Sequence, residues 1–337
     1  MASTELPVFV TVSALDAGHI TLPERLFVTD ADPVKRATVP SLAFLLEHPS
    51  PFPADGSTSI TRLLFDLGVK KSLDGYTPAQ LEHIAHRQPV ITDPDCAASL
   101  RSAAANAPLD PAKDIDFVVL SHVHWDHVGT TSDFSRATFL VGSGTLDLLK
   151  HGAGVLYPAE LFNDDELPVS RTVEFPPAPG DIAPGTPTPT QASSTTEALL
   201  PASAAAWTWQ PLAGFPAVLD FFGDGSLYII DSPGHLYGHV NLLARLEERR
   251  YVYLGGDCCH DPRILTGEKG IALYEDGRGG MRSVHVHTGV AERTLERIRA
   301  FAKEKLLGGE EIDVEVVVAH DAAWREANGH RFWPGRL

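Results

Sequence analysis

Short apolar runs bounded by turn-forming residues dominate this chain. Phe44-Leu45-Leu46-Glu47-His48 and Arg62-Leu63-Leu64-Phe65-Asp66 flank the Pro/Ser/Gly-rich stretch Pro49 to Ser59, a pattern that predicts a hairpin with a long turn. Thr77-Pro78 reads as a helix start, with Thr as cap and Pro in the first position, and Leu81 and Ile84 carry the helix toward Arg87. Asp116 to Ser121 is a buried strand, and Thr138 to Val141 is another. In the second half, Leu227 to Ile230, Val240 to Leu246 and Tyr251 to Leu254 predict strands of a second sheet. The charged turn Glu247 to Arg250 joins the last two as a hairpin. Leu295, Ile298, Ala302 and Leu306 recur at helical spacing, which predicts one amphipathic helix over Ala291 to Leu307. Asp313 to Ala319 is a final strand running into His320.

This order of strands, helix, strands, helix and strand is met by two sheets packed face to face with helices outside, an α/β four-layer αββα sandwich. One domain is expected over residues 1–337, interrupted at about 176–206 by a segment of Pro, Thr, Ser, Ala and Gly with seven prolines and no periodic apolar face. Such a segment cannot bury enough surface to offset its ordering entropy, so it reads as a loose insertion. Trp207 and Trp209 close it, an aromatic pair expected to fold the loop back onto the body and over the active site.

Composition narrows the function. With 337 residues, 43% of them hydrophobic and 21% charged, the chain is of the globular class. No apolar run reaches membrane-spanning length, and Met1 to Val12 lacks the basic start and long apolar stretch of a secretory signal. A cytoplasmic location is the expectation. Three cysteines, Cys96, Cys258 and Cys259, make no disulfide framework. A net charge of -17 repels nucleic acid and anionic membrane surfaces, so neither is expected as a partner.

The chemistry concentrates in His122-Val123-His124-Trp125-Asp126-His127, directly after a buried strand. Four metal-capable side chains in so short a span form a coordination shell. His122 and His124, two apart, point the same way in extended backbone and can grip one ion. Asp126 and His127 are neighbours, so the backbone must leave strand geometry for both to reach an ion, and Gly129 eases that turn. Two ions are therefore expected. Further ligand candidates stand at the carboxyl ends of later strands: His235 in Ser232-Pro-Gly-His, Asp257 in Gly255-Gly-Asp, and His320 after Val316-Val-Val-Ala.

The pattern His-x-His-x-Asp-His, followed by His235, Asp257 and His320, resembles the metallo-β-lactamase superfamily. Within it, Phe44-Leu-Leu-Glu-His48, Leu64-Phe-Asp-Leu-Gly68 and Asp231-Ser-Pro-Gly-His-Leu-Tyr-Gly-His239 resemble quorum-quenching acyl-homoserine lactonases and related fungal lactone- and lactam-opening hydrolases. The resemblance runs from about Leu42 to His320, with the insertion near Pro176 to Ala206 outside it. It implies that His122, His124 and His235 hold a first metal, that Asp126, His127 and His320 hold a second, and that Asp257 bridges them. Where β-lactamases of this superfamily carry cysteine, this chain has Asp257, which favours the lactonase-like branches. Three positions on, where lactonases carry an oxyanion-assisting tyrosine, stands His260, kept as a catalytic candidate.

The function so implied is a binuclear hydrolase that opens a cyclic ester or amide of a small-molecule lactone or lactam through a metal-bridging hydroxide. Two dications less two aspartates and one hydroxide leave a charge of about +1 to meet the oxyanion. Asp126 is the expected proton carrier, and zinc the expected ion, with manganese, iron and cobalt as alternatives. A thioester hydrolase on the same fold, or a metal-stabilised binding protein without turnover, are the competing readings. Asp66 is expected as a turn former or a partner of a ligating histidine, and Asp321 as a partner or turn residue. Trp125 is read as rim packing, Tyr237 and His239 as pocket candidates, Cys258 and Cys259 as buried apolar residues, and His285 and His287 as a pair without a metal of their own.

Overall fold

A computed structural model describes residues 6–49, 60–102, 108–179 and 200–337. The first sheet contains β1 (Thr11–Pro23), β2 (Arg36–His48), β3 (Thr61–Phe65), β4 (Phe117–Val119), β5 (Thr138–Val141) and β6 (Thr172–Glu174), in that spatial order. β1, β2 and β3 pair antiparallel, and β3 to β6 run parallel. The second sheet contains β7 (Gln210–Leu212), β8 (Phe215–Asp220), β9 (Leu227–Asp231), β10 (Val240–Arg245) and β11 (Arg250–Leu254), all antiparallel neighbours. Two short ladders follow, β12 (Tyr274–Glu275) with β13 (Met281–Arg282) and β14 (Leu306–Leu307) with β15 (Glu310–Glu311). β16 (Asp313–Val317) then closes the second sheet, parallel to β11. The helices are α1 (Pro78–Ala85), α2 (Cys96–Arg101), α3 (Thr145–His151), α4 (Pro262–Leu265), α5 (Thr288–Glu304) and α6 (Ala322–Ala327).

The runs are continuous rather than alternating because both faces of each central strand are buried. Leu42, Phe44, Leu63, Phe65, Phe117 and Val119 face Leu219, Ile229, Leu242, Val252 and Leu254 across the gap between the sheets. Ala43, Leu45, Leu64 and Val118 turn the other way, against Cys96, Ala97 and Leu100 of α2 and Leu148 and Leu149 of α3. On the far side, Ile230, Leu243 and Tyr253 pack on Ala291, Leu295, Ile298 and Phe301 of α5. Helix, sheet, sheet and helix layers result, as the element order predicts.

Several boundaries differ from expectation. β1, unpredicted, pairs with β2 along nearly its whole length. Its register shifts between Asp16 and His19, where Gly18 at φ +90° makes the irregularity. Helix α5 begins before Ala291 and ends before Leu306, because Lys305 adopts a left-handed φ of 51° and stops it. Leu306 instead lies in β14, half-exposed.

The hairpin of β2 and β3 forms as predicted, although most of its turn lies outside the described residues, as does most of the insertion. The tryptophans that close that insertion face the core between the sheets. Trp207 Nε1 donates to the Phe221 carbonyl at 3.0 Å and Trp209 Nε1 to that of Pro176 at 2.8 Å. Folding over the active site is thus corrected for this pair, because inter-sheet burial and these two bonds hold both rings elsewhere. No described helix is long and apolar enough to cross a membrane.

Candidate metal centre

The strands of both sheets deliver polar side chains to one rim. Asp66 follows β3, the His122 to His127 segment follows β4, His235 follows β9, Asp257 follows β11 and His320 follows β16. After β4 the backbone leaves extended geometry: His127 N–H bonds the His124 carbonyl at 3.0 Å, and the His127 carbonyl accepts from Leu67 N–H at 2.8 Å. That turn lets the adjacent Asp126 and His127 both face inward. Gly129 finishes it at φ +56°, where a Cβ would come within 2.5 Å of the Leu67 Cβ.

Two groups result, with one carboxylate between them. His122 Nε2, His124 Nδ1 and His235 Nε2 lie 2.9 to 3.2 Å apart. Asp257 Oδ2 is 3.7 Å from His122 Nε2 and 3.4 Å from His235 Nε2. The other oxygen, Oδ1, is 3.3 Å from His127 Nε2 and 3.2 Å from His320 Nε2, and Asp126 Oδ2 stands 3.6 Å from the latter. Each trio expected from the resemblance is therefore gathered in space, with Asp257 at their junction.

The partners behind these rings fix which nitrogen faces inward. Asp66 accepts from Ser121 N–H at 2.7 Å, from Ser121 Oγ–H at 2.7 Å and from His127 Nδ1–H at 2.8 Å. Having given its proton to Asp66, Ser121 Oγ accepts from His122 Nδ1–H at 3.0 Å. The Pro40 carbonyl takes His320 Nδ1–H at 2.7 Å. His122, His127 and His320 thus each turn an Nε2 lone pair toward Asp257. His239 lies beneath: its Nδ1–H donates to the Ser232 carbonyl at 3.1 Å and its Nε2 accepts the Asp257 N–H at 3.1 Å.

Cations suit this arrangement. His127 Nε2, His320 Nε2 and Asp257 Oδ1 are fully buried yet have no hydrogen-bond partner, which is costly unless something positive sits among them. Burial, reinforced by neighbouring imidazoles, holds His122 and His235 well below the ordinary histidine range, so their nitrogens are unprotonated donors. Burial also opposes charge on His127 and His320, but Asp257, joined by Asp66 at His127 and by Asp126 at His320, overrides it and raises both, so each Nε2 draws a positive charge, a proton or a metal ion, to the Asp257 carboxylate. Asp257 in turn stays ionised despite burial, through His127, His260 and His320. Five imidazoles and two carboxylates form a donor set suited to divalent cations, gathered in one group of His122, His124 and His235 and another of Asp126, His127 and His320, with Asp257 between them.

A cavity of about 60 Å³ opens onto this centre, lined by Asp126, Asp257, His124, His260 and Tyr157 and walled by Ile20, Leu22, Phe27, Trp125 and Val284. His260 Nε2 lies 3.0 Å from Asp257 Oδ2, so the residue expected at the lactonase tyrosine position does border the reacting space. Trp125 both packs on Tyr76, with centroids 5.6 Å apart, and walls the cavity. Tyr237 lies against the outer core of the first sheet and is not among the cavity's lining residues. Cys258 and Cys259 are buried apolar residues of the second sheet's outer core, and Asp321 caps α6 by accepting Trp324 N–H at 2.8 Å.

Four contributors escaped the sequence. His285, read only with His287, is buried with Nδ1 3.1 Å from His235 Nδ1, backing that ligand. Its spacing from His287 was the visible signal, but nothing marked its neighbour. Tyr157, whose hydroxyl donates to the Val284 carbonyl at 2.5 Å, comes from a loop without any motif. His83 and Arg87, on the cavity wall, read as the polar face of an amphipathic helix.

The model of the metallo-beta-lactamase superfamily matches residues 95–198. Cytochrome P450 monooxygenase mpaDE of Penicillium brevicompactum is 29% identical over 93% of this chain and 33% of its own length. Metallo-hydrolase mfmC of Annulohypoxylon moriforme is 31% identical over 67% of this chain and 50% of its own. The chain thus spans a third to a half of the length of these curated relatives. Others, named gamma-lactamase or N-acyl homoserine lactonase, match at 24% to 28% identity. A solved N-acyl homoserine lactone hydrolase, with the product N-hexanoyl-L-homoserine at its catalytic metal centre, aligns over 98% of this chain and 100% of its own, with a TM-score of 0.60 and 15% identity. The family match, these relatives and this shared fold agree that the chain carries a metallo-β-lactamase domain.

Proposed function

We propose that this chain is a binuclear metal-dependent hydrolase that opens a cyclic ester or cyclic amide. The observation that carries the reading is Asp257, buried, with one oxygen toward each histidine group. Two bound divalent ions, zinc first among candidates, would supply Lewis acidity toward a carbonyl and make water a nucleophile at neutral pH.

The protein's own residues do the rest. The apolar wall of Ile20, Leu22, Phe27, Trp125 and Val284 holds the hydrocarbon part of the ring and excludes bulk water. Asp126, with Oδ2 against His320 and its side chain on the cavity, takes up through Oδ1 the proton that the attacking water gives up and passes it to the alkoxide oxygen or amide nitrogen as its bond to the carbonyl carbon breaks. His260 borders the carbonyl oxygen and, through Nε2, orients Asp257. Relatives named for lactones and lactams support this substrate class.

Metal analysis of protein purified without chelator should find about two ions per chain, and Asp257→Ala should remove both ions and turnover. A panel of lactones, lactams, glutathione thioesters and bis-aryl phosphates should show ring opening above the others. Fully folded protein that binds no metal, or turnover confined to thioesters, would overturn the proposal.

A further inference from the structure

Several arginines in this chain hold acids, and others, such as Arg36 and Arg299, bond backbone carbonyls. Arg325 holds Asp16 through two bonds at 2.6 and 2.8 Å, Arg263 holds Asp261 and Glu24, and Arg331 grips both oxygens of Glu315. With 44 acidic residues against 27 basic ones, that is the expected outcome. Arg87 is different. It is half-buried on the wall of the cavity that holds Asp126, Asp257 and His260. Among the described residues no carboxylate comes within salt-bridge distance of it, and its guanidinium makes one long bond, 3.4 Å, to the adjacent His86 carbonyl. Its guanidinium carbon stands 6.0 Å from the centroid of the Phe27 ring.

The position is held firmly. Arg87 N–H bonds the Ile84 carbonyl at 2.8 Å at the end of α1, and the Arg87 carbonyl accepts Thr21 N–H of β1 at 3.0 Å. His83, in the last turn of α1, lines the same cavity. A guanidinium is charged at any working pH; the field of Asp126 reaches it, but no carboxylate pairs with it directly, and an unpaired, part-desolvated guanidinium is costly. Its planar fork of donors matches a carboxylate in two parallel bonds.

We propose that Arg87 is a specificity residue that binds a carboxylate carried by the substrate, away from the ring that is opened. The substrate class is then a hydrophobic lactone or lactam bearing its own acid group, the apolar wall taking the ring and Arg87 the anion. The ring-opening half rests on the function proposed above, while the anion-binding half does not. The net charge of -17 repels such a substrate from the protein at large, and Arg87 offers it a local counter-charge.

The test uses the metal-loaded full chain and dihydrocoumarin carrying a carboxylate on its benzene ring, compared with the matching carboxamide. Wild type should show a KM about tenfold lower for the carboxylate. Arg87→Gln should erase that preference, and Arg87→Lys, which keeps charge without the fork, should restore part of it. Calorimetric binding of the same pair reads the preference without turnover. If neither ring opens but Arg87 still selects the carboxylate, the hydrolase reading fails and this inference stands. No preference in wild type overturns it, as does a preference that survives Arg87→Gln, which would place the carboxylate on the metals.

Discussion

Asp66→Asn is the most discriminating change the centre offers, because it alters one atom and leaves the shape. In the wild type, Asp66 accepts three protons, from Ser121 N–H, Ser121 Oγ–H and His127 Nδ1–H. An asparagine keeps one oxygen for the Ser121 amide but presents an NH2 group where Oδ2 stood. That donor meets His127 Nδ1–H, so the imidazole must shift its proton to Nε2, the atom facing Asp257 Oδ1 at 3.3 Å. The proposed second ion would then lose a lone pair directly, while the first, on His122, His124 and His235, would be reached only through Ser121 Oγ, the acceptor of His122 Nδ1–H. Losing such a supporting partner typically costs metal affinity by about 10- to 100-fold. Chelator competition, followed ion by ion, should show the site of His127 weakened by that factor and the other weakened less. Asp66→Ala should be worse, since the Ser121 amide is then buried unbonded at a further cost of about 1–3 kcal/mol in thermal unfolding. Equal affinity at both sites in Asp66→Asn would refute the tautomer argument, and with it the pairing of Asp66 to the second ion.

Three further outcomes follow from the same geometry. Gly256→Ala should destabilise the fold by about 2–3 kcal/mol and release metal, because Gly256 sits at φ +48° and a Cβ would come within 2.8 Å of Ser121 Cβ; calorimetry with metal analysis checks both. Burial raises the Asp231 carboxyl to about 7, with Arg297 opposing. Asp231 therefore contributes stability in full below its unfolded value near 4, and that contribution is lost as pH rises to about 7, by at most about 4 kcal/mol given its partial exposure. Melting curves between pH 4.5 and 8 should show that loss in wild type and not in Asp231→Asn. Stripping metal should lower the melting temperature, by an amount equivalent to about 4 kcal/mol when free ion had stood a thousandfold above Kd; an unchanged melt would show that the buried lone pairs are satisfied some other way.

What could be read in advance follows from how local each signal is. His122 to His127 declares itself because a buried strand followed by four ligand-type side chains has few other uses, and His235, Asp257 and His320 repeat one local theme, strand, tight turn, ligand. The inter-sheet core was readable for the same reason: Phe117 to Leu120 and Tyr251 to Leu254 are apolar on both faces. β1 was not, because Asp16, Gly18 and His19 interrupt its pattern where the register shifts, and only pairing with β2 makes it a strand. Residues that serve the site from a distance were silent too. His285 matters because a loop beyond β13 returns to His235, and Arg87 because the end of α1 is bonded to β1; both are facts of tertiary closure. A ligand must sit at a particular point of its own strand, so the chain leaves a pattern around it. A residue that supports or selects need only arrive, and any loop of suitable length can bring it. The proposed ligands are accordingly the legible part of this centre, while Arg87, its proposed selector, is presented by the sequence as an ordinary surface charge.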